Sequence, residues 1–229
     1  MDFLNFFIKL IVNPRDVLEN IPTVYSYILL WLMVFAESGF LFGFFLPGDS
    51  LLFLAGFLAS VQHSSSSQTI LDIWILIPLL SVAAILGDNL GYYTGKRFGA
   101  RILSWEDNFW FKKRYIIEAK KYYEKRGGIA IVLARFVPAI RTFAPIVAGL
   151  VGMDRSKFIK YNLIGGLFWV ISLTLLGYFA GKTLEAQGID IEKYIIPIAI
   201  FIAVVSVIMG YFESKNLKKE NINIDEISV

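Results

Sequence analysis

The chain contains no cysteine and a single histidine, His63, and only 18% of its 229 residues are charged. Without cysteine it can build neither a disulfide framework nor a thiolate nucleophile. One histidine, set in a run of serines, reads as solvated and leaves no His-based metal site. Soluble domains carry roughly a quarter of their residues charged, so the shortage of charge, with a mean hydropathy of +0.62, argues against an ordinary soluble fold. There is no nucleophile motif and no glycine loop of the nucleotide-binding type, so hydrolytic or ATP-driven chemistry has no visible machinery. The reading is therefore not an enzyme, with no cofactor and no metal.

What the chain has instead is long apolar runs. Tyr161 to Gly181 and Tyr194 to Phe212 contain no charged residue. Each is close to the ~20 residues a helix needs to cross the hydrocarbon core. A further mostly apolar span covers Ile70–Gly99, with Asp72 near its start and Asp88 inside it. Residues 1–22 read as an N-terminal interfacial amphipathic segment, 23–212 as an all-α polytopic membrane domain, and 213–229 as a charged tail. Lys9 interrupts the first apolar stretch and no small-residue cleavage site follows, so a signal peptide is not expected.

Basic residues orient this map. Ten lysines and arginines lie between Lys96 and Arg126, three more follow the last span, and the loop Gln62–Thr69 has none. The positive-inside rule then places the middle segment and both termini in the cytoplasm of a multi-pass plasma-membrane protein. Trp105, Trp110 and their neighbouring lysines fit a cytoplasmic interfacial helix drawn to anionic lipid better than a nucleic-acid site.

Two segments are broken. Ser38–Leu46 and Leu51–Val61 flank Pro47-Gly48-Asp49-Ser50, and Ile129–Val137 and Ala139–Val151 flank Pro138, with Pro145 beyond. At ~1.5 Å per residue each arm reaches about half-way through a bilayer. The expectation is two re-entrant hairpins, about 38–61 and 129–151, with their tips at membrane depth. An internal repeat supports them. Leu90-Gly91-Tyr92-Tyr93-Thr94-Gly95-Lys96 matches Leu176-Gly177-Tyr178-Phe179-Ala180-Gly181-Lys182 at five of seven positions, and Leu54-Ala55-Gly56 echoes Val147-Ala148-Gly149 upstream. With the orientation above, the two copies are opposed, as in many secondary transporters. Gly87, Gly91, Gly95 and Gly99 recur every four residues, a packing stripe that lets helices approach closely.

Four charges lie in or beside the hairpins: Glu37, Asp49, Arg135 and Arg141. An ionised group at membrane depth costs on the order of 2.5–3.5 kcal/mol, so such residues pair and mark function. Purely structural ion pairing between the hairpins is the plain alternative. Arginine offers a planar fork of donors suited to phosphate, so Arg135 and Arg141 are the expected head-group ligands, a break at Pro138 letting them converge. Glu37 and Asp49 can change protonation state and are the expected proton-coupling pair. Asp88 is a secondary candidate, with Asn89 placed to satisfy it.

The run from Glu37 through Pro47-Gly48-Asp49-Ser50 to Ala55-Gly56 resembles the first signature of the DedA family. Gly87-Asp88 through Gly91-Tyr92 to Gly95 and Gly99 resembles its second. Arg135-Phe136-Val137-Pro138 through Arg141 and Pro145 to Ala148-Gly149 resembles its third, the core of the VTT or SNARE-associated domain. The resemblance covers about Glu37 to Gly181. It implies two opposed re-entrant hairpins and lipid transport. Bacterial members are linked to undecaprenyl phosphate recycling and others to phosphatidylethanolamine, and eukaryotic relatives scramble phospholipids. The family's important acids fall on Glu37 and Asp49 and its arginines on Arg135 and Arg141. The expected function is a flippase for an anionic lipid, undecaprenyl or another polyprenyl phosphate, returning it to the cytoplasmic leaflet on a proton or ion gradient. The alternatives are a phospholipid flippase or scramblase, a proton-coupled small-ion or drug transporter, and a non-transporting assembly factor. The expected partners are membrane lipids (polyprenyl phosphate or phospholipid) and protons or cations, with no nucleic acid; a homo-oligomer is compatible with this reading.

Overall fold

The computed structural model describes residues 22–40, 48–60, 71–103, 123, 125–136 and 138–187. The interfacial segment 1–22, the serine loop, most of the basic aromatic segment, Pro47, the span Tyr194–Phe212 and the tail 213–229 fall outside or almost wholly outside them. The described residues form seven helices: α1 (Thr23–Gly39), α2 (Gly48–Ser60), α3 (Ile73–Leu103), α4 (Ile129–Ala134), α5 (Pro138–Arg141), α6 (Ala144–Leu150) and α7 (Arg155–Ala186).

Helix boundaries follow from caps. Asp72 starts α3: its carboxylate accepts the Trp74 N–H at 2.8 Å, and its own N–H donates to the Tyr27 hydroxyl at 2.7 Å. That accounts for an acid at the head of an apolar span. Asp154 starts α7 in the same way, accepting the Lys157 N–H at 2.9 Å. Between α6 and α7 the chain turns at Gly152, whose φ of +74° suits glycine. The N–H groups of Met153 and Gly152 donate to the Ala148 and Gly149 carbonyls at 3.0 and 3.2 Å, the paired closure of a Schellman turn. As a result the basic residues Arg155, Lys157 and Lys160 belong to the first turns of α7.

The breaks also differ from expectation. Gly48 and Asp49 form the first turn of α2 instead of a free turn. Pro138 opens the four-residue α5, and Pro145 sits at the start of α6, where a missing N–H costs nothing. These residues start helices, and the chain reverses around them.

Close contacts give the directions. Tyr27 meets Asp72 at one end of α1, and Gly39 meets Gly87 at the other, so α1 and α3 run alongside in the same sense. α6 also runs with α3, pairing Ile146 with Gly91 and Gly95 and Leu150 with Gly99. α2 and α4 run with α7, through Gly56 beside Thr174 and Val132 beside Gly165. α3 and α7 oppose each other, with Tyr92 stacked on Phe158, centroids 4.5 Å apart, and Asn162 bonded to the Ile85 carbonyl. The chain thus reverses twice, once between α1 and α2 and once between α4 and α6, each time near the middle of α3 and α7.

The repeat copies pack crosswise. Gly56, in the first Ala-Gly copy, lies against the Thr174 carbonyl of the helix bearing the second LGY..GK copy, and Gly177 lies against the Phe53 carbonyl. Reciprocally, Gly149 of the second copy lies against the Tyr92 carbonyl on α3, and Gly95 against the Ile146 carbonyl. Each half therefore completes the packing of the other.

Apolar side chains face outward as well as filling the core. Ile73–Gly99 and Arg155–Leu184 are long and apolar enough to cross a membrane, yet only 39% and 33% of their most apolar windows are buried. Val82, Leu86, Leu163, Ile164, Phe168, Leu176 and Phe179 face outward, while Glu37, Asp88, Arg135, Asn162 and Thr174 are buried. An outer apolar surface around a charged interior suits lipid as the surrounding solvent.

The crosswise contacts predict unequal costs along one glycine stripe. A methyl at Gly95 would press into the Ile146 backbone carbonyl, whereas at Gly91 it would meet the Ile146 and Pro145 side chains at 3.3 and 3.4 Å. Gly95→Ala is expected to destabilise the protein by about 1–3 kcal/mol through overpacking, and Gly91→Ala by clearly less. Thermal unfolding in detergent measures both; equal losses would mean the stripe does not pack in this register.

Candidate functional site

The two reversals bring five ionisable side chains to mid-length of the long helices. Glu37 is near the C-terminus of α1, Asp49 is the second residue of α2, Asp88 lies midway along α3, Arg135 follows α4, and Arg141 ends α5. No two neighbours in this set share a helix, so the cluster exists only in the assembled fold.

Arg141 spans two acids: Nη2 donates to Glu37 Oε1 and Nη1 to Asp49 Oδ1. This fork joins α5 to both arms of the first reversal. Arg135 is held separately. Its Nη2 donates to Asp88 and to Asn162 Oδ1, the latter at 2.6 Å. Asn162 in turn donates to the Ile85 carbonyl at 3.1 Å. Asn89, expected to satisfy Asp88, instead donates to the Ile85 carbonyl at 2.7 Å along its own helix. Asp88 is therefore the direct ionic partner of Arg135, with the same standing as Glu37 and Asp49. Both arginines line one cavity, but each is already engaged, Arg135 by Asp88 and Arg141 by Glu37 and Asp49.

Trp169 lies between the two sets. Its indole N–H donates to Asp49 Oδ1 at 2.9 Å. Its ring lies under both guanidinium groups, 4.9 Å from Arg141 and 5.7 Å from Arg135, within cation–π range. Trp169 and Asn162 went unnoticed in the sequence. The available signal was their spacing of seven, two helical turns on one face, in a span otherwise free of charge. Gly165 and Gly166 lie on that face between them, against the Arg135 side chain.

Glu37, Ser38, Asp88, Arg135, Arg141, Thr142 and Trp169 enclose a cavity of about 10 Å³, room for about one water molecule. Three carboxylates face two guanidiniums, an excess of one negative charge if all are ionised. Among the described residues, Glu37 Oε2 and Arg135 Nε are buried without a hydrogen-bond partner. Glu37 Oε2 lies against Gly48, where a methyl would collide with the carboxylate. Exposure grades the acids: the side chain of Glu37 is 3% exposed, that of Asp88 5% and that of Asp49 18%. Among the described residues no group of histidine, cysteine or carboxylate side chains is arranged to hold a metal ion.

A buried pair that loses one partner leaves an uncompensated charge, at a cost of about 3–5 kcal/mol, whereas removing both partners is far milder. Asp88→Leu and Arg135→Met are each expected to lower thermal stability in detergent by that order, and the double variant to recover most of it. A double variant no better than the worse single one would show that the two side chains do not act as a pair.

A family model of the VTT domain matches residues 46–179. Protein DedA of Escherichia coli is 41% identical over 184 residues, 79% of this chain and 82% of that protein. The uncharacterized membrane protein Rv0364 of Mycobacterium tuberculosis is 41% identical over 151 residues, 66% of this chain and 64% of that protein. The inner membrane protein YqjA of Escherichia coli is 38% identical over 159 residues, 69% of this chain and 68% of that protein. No solved structure matches this chain. With the matched domain covering more than half its length and with relatives named as membrane proteins, the chain belongs to the DedA family of membrane proteins.

Proposed function

We propose that this protein carries a phosphate-bearing lipid head group across the bilayer, with undecaprenyl or another polyprenyl phosphate as the substrate, and that proton or cation binding drives the exchange. The observation that carries this reading is Arg141 held between Glu37 and Asp49 at mid-length of two membrane-length helices. The two reversals are read as re-entrant hairpins entering from opposite sides, and their crosswise packing supports an inverted repeat. In this reading Arg141 is the exchangeable ligand. A proton taken up by Glu37 or Asp49 cancels the excess negative charge and loosens the grip on Arg141. The freed guanidinium fork then accepts a phosphate oxygen. Loss of the proton returns the acids to Arg141 and releases the head group. Arg135, neutralised by Asp88 and bonded to Asn162, holds the second hairpin to the long helices.

The one-water cavity favours a second reading, a proton or small-ion path without lipid, because a head group is larger than the space between its lining side chains. Leaflet transfer of labelled lipid in proteoliposomes separates the two. Undecaprenyl phosphate is expected to move, phosphatidylethanolamine to move more slowly, and Arg141→Ala to cut the rate tenfold or more, since a bidentate ionic contact is worth at least one decade. Glu37→Gln is expected to abolish the effect of a pH gradient while leaving the protein folded. Proton flux without any lipid transfer would replace the lipid reading with the small-ion one.

Membrane orientation has its own test, for which the cysteine-free chain is a clean background. Ser65→Cys is expected to react with an impermeant maleimide on intact cells, and Ser214→Cys only after permeabilisation. The reverse pattern would invert the assigned topology.

A further inference from the structure

Asp49 Oδ1 accepts from two donors on different elements, Arg141 Nη1 from α5 and Trp169 Nε1 from α7. Neither donor can accept a hydrogen bond. Whatever occupies their meeting point must supply oxygen lone pairs, and the guanidinium favours a negative charge there. The indole is well fixed: Trp169 is 2% exposed, and its face lies 4.9 Å from the Arg141 guanidinium carbon. The fork directs Nη1 to Asp49 and Nη2 to Glu37. Of the three acids, Asp49 has the most exposed side chain, at 18%.

We propose that Arg141 and Trp169 form a preformed oxyanion cradle, that the Asp49 carboxylate occupies it as an internal stand-in, and that a phosphate oxygen of the ligand replaces that carboxylate, with the Trp169 indole N–H as a direct binding donor. This rests on the head-group reading above and assigns it a ligand outside the four charges read from the sequence. Asp49 places a single oxygen, Oδ1, between Arg141 Nη1 and Trp169 Nε1, so one phosphate oxygen in the same position takes over both contacts. The merely structural alternative is a tryptophan that fills the core between two arginines, for which the ring matters and the N–H does not.

The test uses the full chain in detergent micelles, labelled with 5-fluorotryptophan. Its five tryptophans give five fluorine resonances, and Trp169→Phe assigns the relevant one. The probes are a short-chain prenyl monophosphate, a short-chain phosphatidylethanolamine, inorganic phosphate and the prenyl alcohol. The Trp169 resonance is expected to shift with the prenyl monophosphate and to stay put with the alcohol. A matching shift with inorganic phosphate identifies a general phosphate cradle and supports the proposal; a shift with inorganic phosphate and neither lipid overturns it. No shift with any probe, or an equal shift with the alcohol, also overturns it. Asp49→Ala, which removes the stand-in, is expected to lower the titration midpoint about tenfold, and an unchanged or higher midpoint counts against the cradle. In proteoliposomes, Trp169→Phe, which keeps an aromatic side chain but loses the indole N–H, is expected to raise the half-saturating lipid concentration about five- to tenfold with a maximal rate near that of wild type. Transfer with unchanged half-saturation in Trp169→Phe sinks the cradle and leaves the transport reading intact. A fluorine response without lipid transfer sinks the transport reading and leaves the cradle.

Discussion

Arg141, held between Glu37 and Asp49, is the contact on which the rest of the arrangement depends. An ionised side chain at the centre of an apolar bundle is tolerated only when paired and hydrogen-bonded. Glu37 belongs to the first reversal and Arg141 to the second, so neither reversal can bring its charge to mid-length unless the other is there to meet it. The glycines follow from the same constraint. The tips reach each other only if α2 and α6 lie directly on the long helices, which is why Gly56, Gly95, Gly149 and Gly177 each face a backbone carbonyl across the interface.

The two arginines play different parts although the sequence presents them as a pair. Arg135 is 5% exposed and tied to side chains on both long helices, Asp88 on α3 and Asn162 on α7. Breaking those ties would leave an unpaired charge in a closed site. Arg141 contacts acids near the ends of two shorter helices, one of them with the most exposed carboxylate in the cluster. In the proposed exchange, Arg135 is the fixed pair and Arg141 the one that changes ligands. Trp169 touches both, through its ring and through its N–H, so a change at Asp49 is felt on the faces of both guanidiniums.

The crosswise packing has a consequence for folding. The apolar face of α2 is covered by α7, and that of α6 by α3, so the first repeat does not complete its own core. Half the chain would expose the carbonyls and small residues that its counterpart covers. The charge cluster imposes the same dependence from within, since its three acids come from the first half and its two arginines from the second. Packing and electrostatics thus favour one assembled state over either half alone.

Much of this was legible along the chain. The paucity of charge, the span lengths and the position of Glu37, Asp49, Arg135 and Arg141 in broken apolar segments follow from composition and local order, because a helix must be about 20 apolar residues long to cross and a charge inside it must have a reason. The repeat was legible for the same reason: identical local packing demands similar local residues. What the sequence could not reveal was partnership. Asp88 was visible only as a charge beside a glycine stripe, and its pairing with Arg135, 47 residues on, depends on how α4 meets α3. Asn89 seemed the natural partner by proximity, yet in a helix it points to its own preceding turn and bonds Ile85. Trp169 and Asn162 sat unremarked in an apolar span, where a tryptophan or a lone amide is ordinary. Pro138 read as a break, but it begins a helix, because proline's fixed φ suits a first turn. Local chemistry by itself determined which residues could be buried and which had to be paired; only the tertiary structure decided which pairs formed, since ion pairs and indole hydrogen bonds depend on distances between elements that no spacing along the chain encodes.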